Sequence, residues 1–311
     1  MSHAFYDYAP PRPEVDPRTS VRRDLMRRCL EALRQAETRR DAVKNAEAFH
    51  AYRSEIRNAA TRIYGELPVG PGRPPPDATP VSAHDLDGCR VENVRFESWR
   101  GWEVNASCFL PRAIPPPWPV VIVPVGHTGK HFDSYQIPCQ VFARCGFLAI
   151  TFDPPGQAGE KKEGNDHWRD GVRPWLLGES PTRYFVADAL RCIDYAAARP
   201  DTATEGGVAM TGVSGGGKTT LFAAALDERI QVLGPCCCLS EMGPADVAMN
   251  LPPCPETFAL GRFAAGLDDG DFLLAALPRP VCLLVGADDS LRTPERTQAV
   301  VDQARRFADL L

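Results

Sequence analysis

The sequence lacks three features that would assign the protein to a membrane, to secretion or to nucleic acid. No stretch offers the ~18 uncharged apolar residues that a membrane-spanning helix needs. The N-terminal residues MSHAFYDYAPPRPEVD lack the basic and then apolar pattern of a signal peptide. Basic residues are not in excess, because 35 Lys and Arg stand against 40 Asp and Glu and give a net charge of −5. These absences predict a cytoplasmic protein with no membrane and no nucleic-acid partner, which acts on a small molecule.

The cysteines lack the spacing of a metal site. The chain has 11 of them, but no CxxC pair accompanies the triplet Cys236, Cys237 and Cys238. On a strand, consecutive side chains point to opposite faces, so these three thiols cannot converge on one ion. Several cysteines stand within apolar runs, where reduced thiols behave as small hydrophobic side chains. We therefore expect buried, reduced cysteines and no metal.

The composition is that of an ordinary globular protein, with 44% hydrophobic and 24% charged residues. A length of 311 residues fits one large α/β domain with an added segment, or two domains. Apolar residues at helical spacing predict one long or two shorter amphipathic helices from Ser20 to Tyr64. The segment LPVGPGRPPPDATP then interrupts regular structure. We predict a helical extension and Pro-rich linker over residues 1–80, which offers a surface for a homo-oligomer, and a second unit over residues 81–311.

The second unit has the pattern of an α/β fold. Two alternating stretches, RVENVRFES and WEVNASCFLP, are joined by a short RGW and predict an antiparallel hairpin. Continuous apolar runs follow, which are typical of strands buried on both faces: PVVIVPVG, FLAITFDPPG, GVAMTGVSGGG, IQVLGPCCCL and VCLLVGADD. Helical stretches separate these runs, the last over ETFALGRFAAGLDDGDFLLAAL. The alternation predicts a doubly wound, mostly parallel sheet with functional residues at the carboxyl ends of its strands.

One motif satisfies two unrelated patterns. Gly212–Gly216 reads G-x-S-x-G, the nucleophile elbow, in which small neighbours allow Ser214 to occupy a sharp strand-to-helix turn. Gly212–Thr219 also reads GxxxxGK[ST], the phosphate-binding loop, in which Lys218 would reach a nucleotide phosphate. Both patterns require a strand, a glycine turn and a helix. Local sequence alone leaves a hydrolase and a nucleotide-binding protein open.

The position of the motif in the chain favours the hydrolase. A phosphate-binding loop usually follows the first strand of its domain, whereas this motif follows the fifth predicted strand and two more come after it. Upstream, the run PVVIVPVG leads into the loop Gly126–Gly129, where a hydrolase presents a second oxyanion-hole N–H group. The motif therefore predicts a serine nucleophile at Ser214.

Six segments in order resemble bacterial α/β-hydrolases of the acetyl xylan esterase and dienelactone hydrolase-like type, related to the prolyl oligopeptidase hydrolase domain. These segments are GCRVENVRFESWRGWEVNASCFLPR, PVVIVPVGHTGKHFDSYQ, FLAITFDPPGQAGEK, GESPTRYFVADALRCIDYAAARPD, VAMTGVSGGGKTT and GLDDGDFLLAALPRPVCLLVGADDS. The resemblance covers about Asp87 to Pro294. It implies an α/β-hydrolase fold and a Ser–acid–His triad that cleaves, or transfers the acyl group of, carboxylic esters through an acyl-serine without a cofactor.

The resemblance also implies roles for individual residues. Ser214 is the expected nucleophile, and the backbone N–H of Gly215, together with that of His127 or Thr128, is the expected oxyanion hole. The family pattern G-x-x-D after the last predicted strand selects Asp289 as the acid. Asp288 and Glu241 stay open as alternative acids.

The expected triad histidine is missing from its place after the acid. All six histidines precede Ser214, and the chain stops where the family has a last strand and a His-containing loop. We therefore expect a C-terminally shortened hydrolase domain, with His127, His131 or His167 as a substitute base. The alternatives are a catalytically impaired hydrolase-fold protein and, further removed, the phosphate-loop protein.

Overall fold

The computed structural model describes residues 20–157, 171, 173–241, 254–257 and 259–311. Within them lie a 3₁₀ helix over Arg173–Leu177 and seven α-helices: α1 Ser20–Ala42, α2 Ala46–Tyr64, α3 Asp133–Arg144, α4 Thr182–Ala198, α5 Gly215–Leu226, α6 Asp269–Ala276 and α7 Pro294–Ala308. Among the described helices, none combines the length and the apolar character that crossing a membrane requires.

The strands form one mixed sheet in the order β1-β2-β3-β5-β4-β7-β8, with the short β6 paired to β4. Their bounds are β1 Thr79–Leu86, β2 Cys89–Trp99, β3 Trp102–Pro111, β4 Trp118–Pro124, β5 Leu148–Phe152, β6 Thr202–Ala203, β7 Val208–Val213 and β8 Ile230–Cys236. Strands β1, β2, β3 and β5 pair antiparallel, whereas β5, β4, β7 and β8 pair parallel. The parallel half therefore brings the carboxyl ends of four strands to one edge.

The predicted hairpin and parallel strands are present, and the last predicted strand is partly present. Beside β8, the run at residues 281–284 forms two isolated parallel bridges, Leu233 with Val281 and Cys236 with Leu284. Strand β1 has no counterpart among the predicted strands. All eight of its residues are exposed, so it carries no apolar alternation that would mark it in the sequence.

The N-terminal helices pack into the same core as the sheet. Phe49 and Ile56 of α2 are fully buried in the cluster that also contains the parallel strands. At the end of α1 the buried Arg40 reaches Asp268 and Asp271, at 3.0 Å in each case. The hydroxyl of Tyr52 donates to Asp271 at 2.6 Å. The segment before residue 65 thus contributes both apolar and charged contacts to the core around the sheet, while the domain boundary near residue 80 stays a prediction.

A buried charge cluster lies beneath α5, the helix that follows Ser214. Asp269 accepts hydrogen bonds from both Lys218 and Arg262, and all three side chains are buried. Burial alone would raise the pKa of Asp269, but the charges of Arg262 and Lys218 outweigh it and hold that pKa at about 2, below its ordinary 3.8. The carboxylate therefore stabilises the fold above about pH 4, and this contribution is lost as the pH falls towards 2.

Replacing Asp269 by Asn is expected to lower the free energy of unfolding by ~3–5 kcal/mol, because it leaves two buried cations without their anion. Urea denaturation followed by circular dichroism measures the change. The matched control is Asp302→Asn, which breaks an exposed pair with Arg305 and should cost less than ~1 kcal/mol. Equal effects of the two substitutions would contradict the structural role of the buried cluster.

Candidate active site

Ser214 occupies a sharp turn between β7 and α5. Its backbone angles are φ 58° and ψ −118°, a positive-φ conformation that residues other than glycine rarely adopt. Such strain costs of order 1–3 kcal/mol and persists when the surroundings fix it. Here the Ser214 N–H donates to the carbonyl of Cys236 at 2.9 Å, and the Ser214 carbonyl accepts from Lys218 N–H at 3.0 Å. The serine is therefore held at the carboxyl end of β7, with the N-terminus of α5 behind it.

Glycines allow the turn to pack against the end of β4. A Cβ atom at Gly216 would overlap the carbonyl of Pro124. A Cβ atom at Gly126, just beyond β4, would lie 3.1 Å from the backbone nitrogen of Gly215 and 2.8 Å from the carbonyl oxygen of Val213. The loop that begins at Gly126 is therefore packed directly against the residue that follows Ser214.

The same loop carries the two predicted partners of the Gly215 N–H. The Thr128 N–H donates to the carbonyl of Gly126 at 2.7 Å within a tight turn. The hydroxyl of Tyr135 accepts from the Gly126 N–H at 2.8 Å and so fixes the start of the loop. Because the Thr128 N–H already has an acceptor inside the turn, His127 is the better candidate for the second oxyanion donor.

The side chain of His127 lies between a thiol and a carboxylate. Its Nε2 is 3.0 Å from Cys254 Sγ, and its Nδ1 is 3.0 Å from Glu256 Oε1. The contacts with Cys254 and with Glu256 raise the pKa of His127 to about 10, although burial opposes the shift. In this arrangement the imidazole carries a proton at neutral pH.

Glu256 lies against the nucleophile turn, and the sequence analysis missed it. Its side chain is 0% exposed, and Oε2 accepts from Gln157 Nε2 at 3.0 Å. A Cβ atom at Gly215 would overlap the Glu256 carboxylate, so this acid borders the residue next to Ser214. Glu256 and Cys254 belong to a proline-containing connection with no local motif, and nothing in the sequence marks either residue.

The predicted acids are either engaged in other contacts or exposed. Asp289 Oδ1 accepts the backbone N–H groups of Leu291 at 2.9 Å and of Arg292 at 2.8 Å, as a loop-capping carboxylate does. Asp288 and Glu241 are exposed. The carboxylate that the structure places on a candidate base is therefore Glu256 instead of Asp289, Asp288 or Glu241.

The other two candidate bases are less well placed or fall outside the description. His131 is exposed, and its ring packs on Phe132 with the ring centroids 4.7 Å apart. His167 lies outside the described residues. Among the described histidines, His127 is the one with a side-chain contact to a carboxylate that borders the nucleophile turn.

Lys218 does not face a nucleotide site. Its Nζ is buried and donates to Asp269 inside the core. Burial lowers the pKa of Lys218, while the charge of Asp269 opposes that shift. A phosphate-binding loop requires this lysine to extend over the loop towards the phosphates. The structure therefore contradicts the phosphate-loop alternative, because the ammonium group of Lys218 is buried in an ion pair with Asp269.

The parallel strands, the helices around them and the serine at a sharp turn after β7 define an α/β-hydrolase. The model of the acetyl xylan esterase (AXE1) family matches residues 77–240, and the chain belongs to that family. This membership confirms the predicted family resemblance and the predicted fold.

Solved structures of three esterases share the fold. A methylesterase is 19% identical with a TM-score of 0.65, and the match covers 90% of this chain and 60% of the methylesterase. A glucuronoyl esterase from Solibacter usitatus is 19% identical with a TM-score of 0.62 and coverages of 86% and 82%. Acetyl xylan esterase 1 from Thermoanaerobacterium sp. is 16% identical with a TM-score of 0.52 and coverages of 86% and 88%. The chain thus spans about 60% of the length of the methylesterase. No protein of curated function matches the sequence.

Proposed function

We propose that this chain hydrolyses carboxylic esters through an acyl intermediate on Ser214. The observation that carries the proposal is the positive-φ turn at Ser214, with the Gly215 nitrogen packed against the loop that begins at Gly126. A serine in such a turn has its Oγ exposed to an incoming carbonyl, and backbone N–H groups beside it accept the charge that develops on the carbonyl oxygen.

The proposed chemistry has two steps. Ser214 Oγ attacks the ester carbonyl, the alcohol leaves, and water or another acceptor then takes the acyl group. The N–H groups of Gly215 and His127 stabilise the oxyanion in both steps. Because Gly215 is the first residue of α5, the positive end of the helix dipole adds to this stabilisation.

His127 is the proposed base, and Glu256 is its proposed partner. Glu256 contacts Nδ1 of the ring and borders Gly215, so one carboxylate links the imidazole to the residue next to Ser214. While Cys254 occupies Nε2, the ring holds its own proton and cannot take one from the serine. We infer that, when substrate enters, the ring separates from the thiol and releases its extra proton to solvent. Neutral Nε2 then faces Ser214 and can accept the serine proton.

The family supports a short acyl group, such as the acetyl group of acetylated xylan, as the first substrate class to test. The proposal includes the cytoplasm as the compartment. All eleven cysteines are free thiols, which is what a reducing compartment maintains.

The experiment combines a fluorophosphonate probe with p-nitrophenyl acetate turnover. We expect the native chain to be labelled by the probe and to hydrolyse the ester, and we expect the heat-denatured chain to do neither. Addition of ATP should leave the melting temperature unchanged, since Lys218 is not available to phosphates. A native, folded chain with neither labelling nor turnover would favour the alternative of a catalytically impaired hydrolase-fold protein.

A further inference from the structure

We propose that His127, Cys254 and Glu256 form a binding site for a divalent cation of the zinc type beside the nucleophile turn. One imidazole nitrogen, one sulfur and one carboxylate oxygen from these residues all lie within 4.8 Å of one another. The ligands come from two segments that are 127 positions apart in the sequence, which is why the search for CxxC spacing misses them.

The three potential ligand atoms lie close enough together for one ion. Cys254 Sγ contacts Nε2 and Glu256 Oε1 contacts Nδ1, the two nitrogens that a nucleophile–base–acid relay also uses, but in a relay the two partners lie far apart on opposite sides of the ring. Here the sulfur and a carboxylate oxygen are no more than 4.8 Å apart, so both lie towards the same side. Two ligand atoms on one tetrahedral zinc ion are separated by ~3.3–3.7 Å, given bond lengths of about 2.0–2.3 Å. Small side-chain movements would bring the three atoms to these separations.

The carboxylate gives an independent reason to expect a cation. Glu256 is fully buried, and no hydrogen bond reaches its Oε1 from the residues that the structure describes, although His127 Nδ1 lies 3.0 Å away. The charged ring of His127 faces this oxygen without a well-aligned hydrogen bond, and a metal ion bound between the two groups would compensate the buried charge more completely. Oε2 is already held by Gln157 at 3.0 Å, which fixes the orientation of the group as outer contacts do in metal sites.

The ligand types select the metal. Thiolate and imidazole favour zinc and the neighbouring transition metals over magnesium and calcium, which prefer oxygen ligands. Three protein ligands leave a fourth position open on a tetrahedral ion. The side chain of His127 is 46% exposed, so an ion has a path from solvent.

The test is titration of the metal-stripped 311-residue chain with Co²⁺, a coloured substitute for Zn²⁺. We expect one Co²⁺ per chain, an intense thiolate-to-cobalt absorption band in the near ultraviolet, and its loss when one equivalent of Zn²⁺ is added. Cys254→Ser should abolish the band and raise the dissociation constant at least ~100-fold, and Gln157→Ala should raise it ~10–100-fold. The matched control is Cys282→Ser, which removes an exposed thiol elsewhere and should change neither quantity.

Three results would overturn the proposal: no binding to the wild type at micromolar metal, a band that persists in Cys254→Ser, or a band that Cys282→Ser removes equally. If Cys254→Ser does not fold, the site can be tested in the wild type by measuring whether Zn²⁺ protects the Cys254 thiol from alkylation. Zn²⁺ should shield Cys254, but not Cys282, from iodoacetamide, and equal alkylation of both would count against the site.

Metal binding at this site does not depend on esterase activity, so Ser214→Ala should still bind Co²⁺. The consequence for the enzyme does rest on the proposed function. An ion on His127 would hold the ring away from Ser214, and Zn²⁺ should therefore inhibit ester hydrolysis until a chelator is added. Binding without inhibition would leave the site intact and count against His127 as the base.

Discussion

Substitution of Ser214 by Ala is expected to lower p-nitrophenyl acetate turnover by on the order of 10^4-fold and to abolish labelling by a fluorophosphonate. The hydroxyl is the proposed nucleophile, and no covalent intermediate forms without it. The fold should be retained, because the contacts that hold the turn are made by the backbone of Ser214, its N–H to Cys236 and its carbonyl to Lys218. Steady-state kinetics and gel-based labelling measure the two effects.

The matched control is Ser54→Ala on the exposed face of α2, where the hydroxyl donates to the carbonyl of His50. Its turnover and labelling should equal those of the wild type. If Ser214→Ala kept its activity while its circular dichroism spectrum stayed native, the nucleophile would lie elsewhere and the proposed mechanism would be wrong.

Substitution of His127 by Ala is expected to reduce turnover by ~10^2–10^4-fold, the range for loss of a general base. The backbone N–H of residue 127 stays in the variant, so the experiment removes the ring without removing the second oxyanion donor. Fluorophosphonate labelling should slow in parallel, because the same base activates Ser214. The melting temperature should be measured alongside, since Glu256 loses its contact with the ring.

His131→Ala is the control from the same loop, because that ring is exposed and packs on Phe132. Its turnover should stay within about threefold of the wild type, the range of a surface substitution. The reverse pattern, with a normal rate in His127→Ala and a large loss in His131→Ala, would refute the assignment of the base. Normal turnover in both variants would exclude both residues as the base and leave His167 as the remaining candidate.

The parallel strands could be predicted because burial on both faces requires continuous apolar runs, and these are visible in the sequence. The N-terminal helices could be predicted because their apolar spacing extends from Ser20 to Tyr64, where α1 begins and α2 ends. Strand β1 could not, because an exposed edge strand needs no apolar pattern. Its pairing with β2 comes from backbone hydrogen bonds, to which side-chain patterning gives no guide.

The predicted helix over residues 256–277 is shorter in the structure, where α6 covers Asp269–Ala276. Gly261 and Gly266 have φ values of 80° and 68°, which end helical geometry before this point. Helix α6 begins after these glycines at a capping box, in which the side chains of Asp268 and Asp271 each accept the backbone N–H of the other residue. The apolar composition of the segment predicted burial correctly, but the two glycines decide where the helix lies.

The nucleophile could be predicted because G-x-S-x-G is a local motif whose meaning depends on one strand and one helix. The partners of His127 could not be predicted. Glu256 and Cys254 reach it from a segment more than a hundred residues later, so their proximity depends on the tertiary fold. Asp289 matched a family pattern, yet in the structure its carboxylate caps a loop, so its assignment as the acid stays a prediction.

The central claim is that Ser214 carries the acyl group, and peptide mapping of the trapped intermediate tests it most directly. The chain would be mixed with p-nitrophenyl acetate, quenched in acid within the first turnovers, digested and analysed by mass spectrometry. The account predicts one acetyl group on the peptide that contains Ser214 and an unmodified Cys254 peptide. An acetyl group on Cys254, or a chain that turns over ester with no acetylated Ser214 at any quench time, would contradict it.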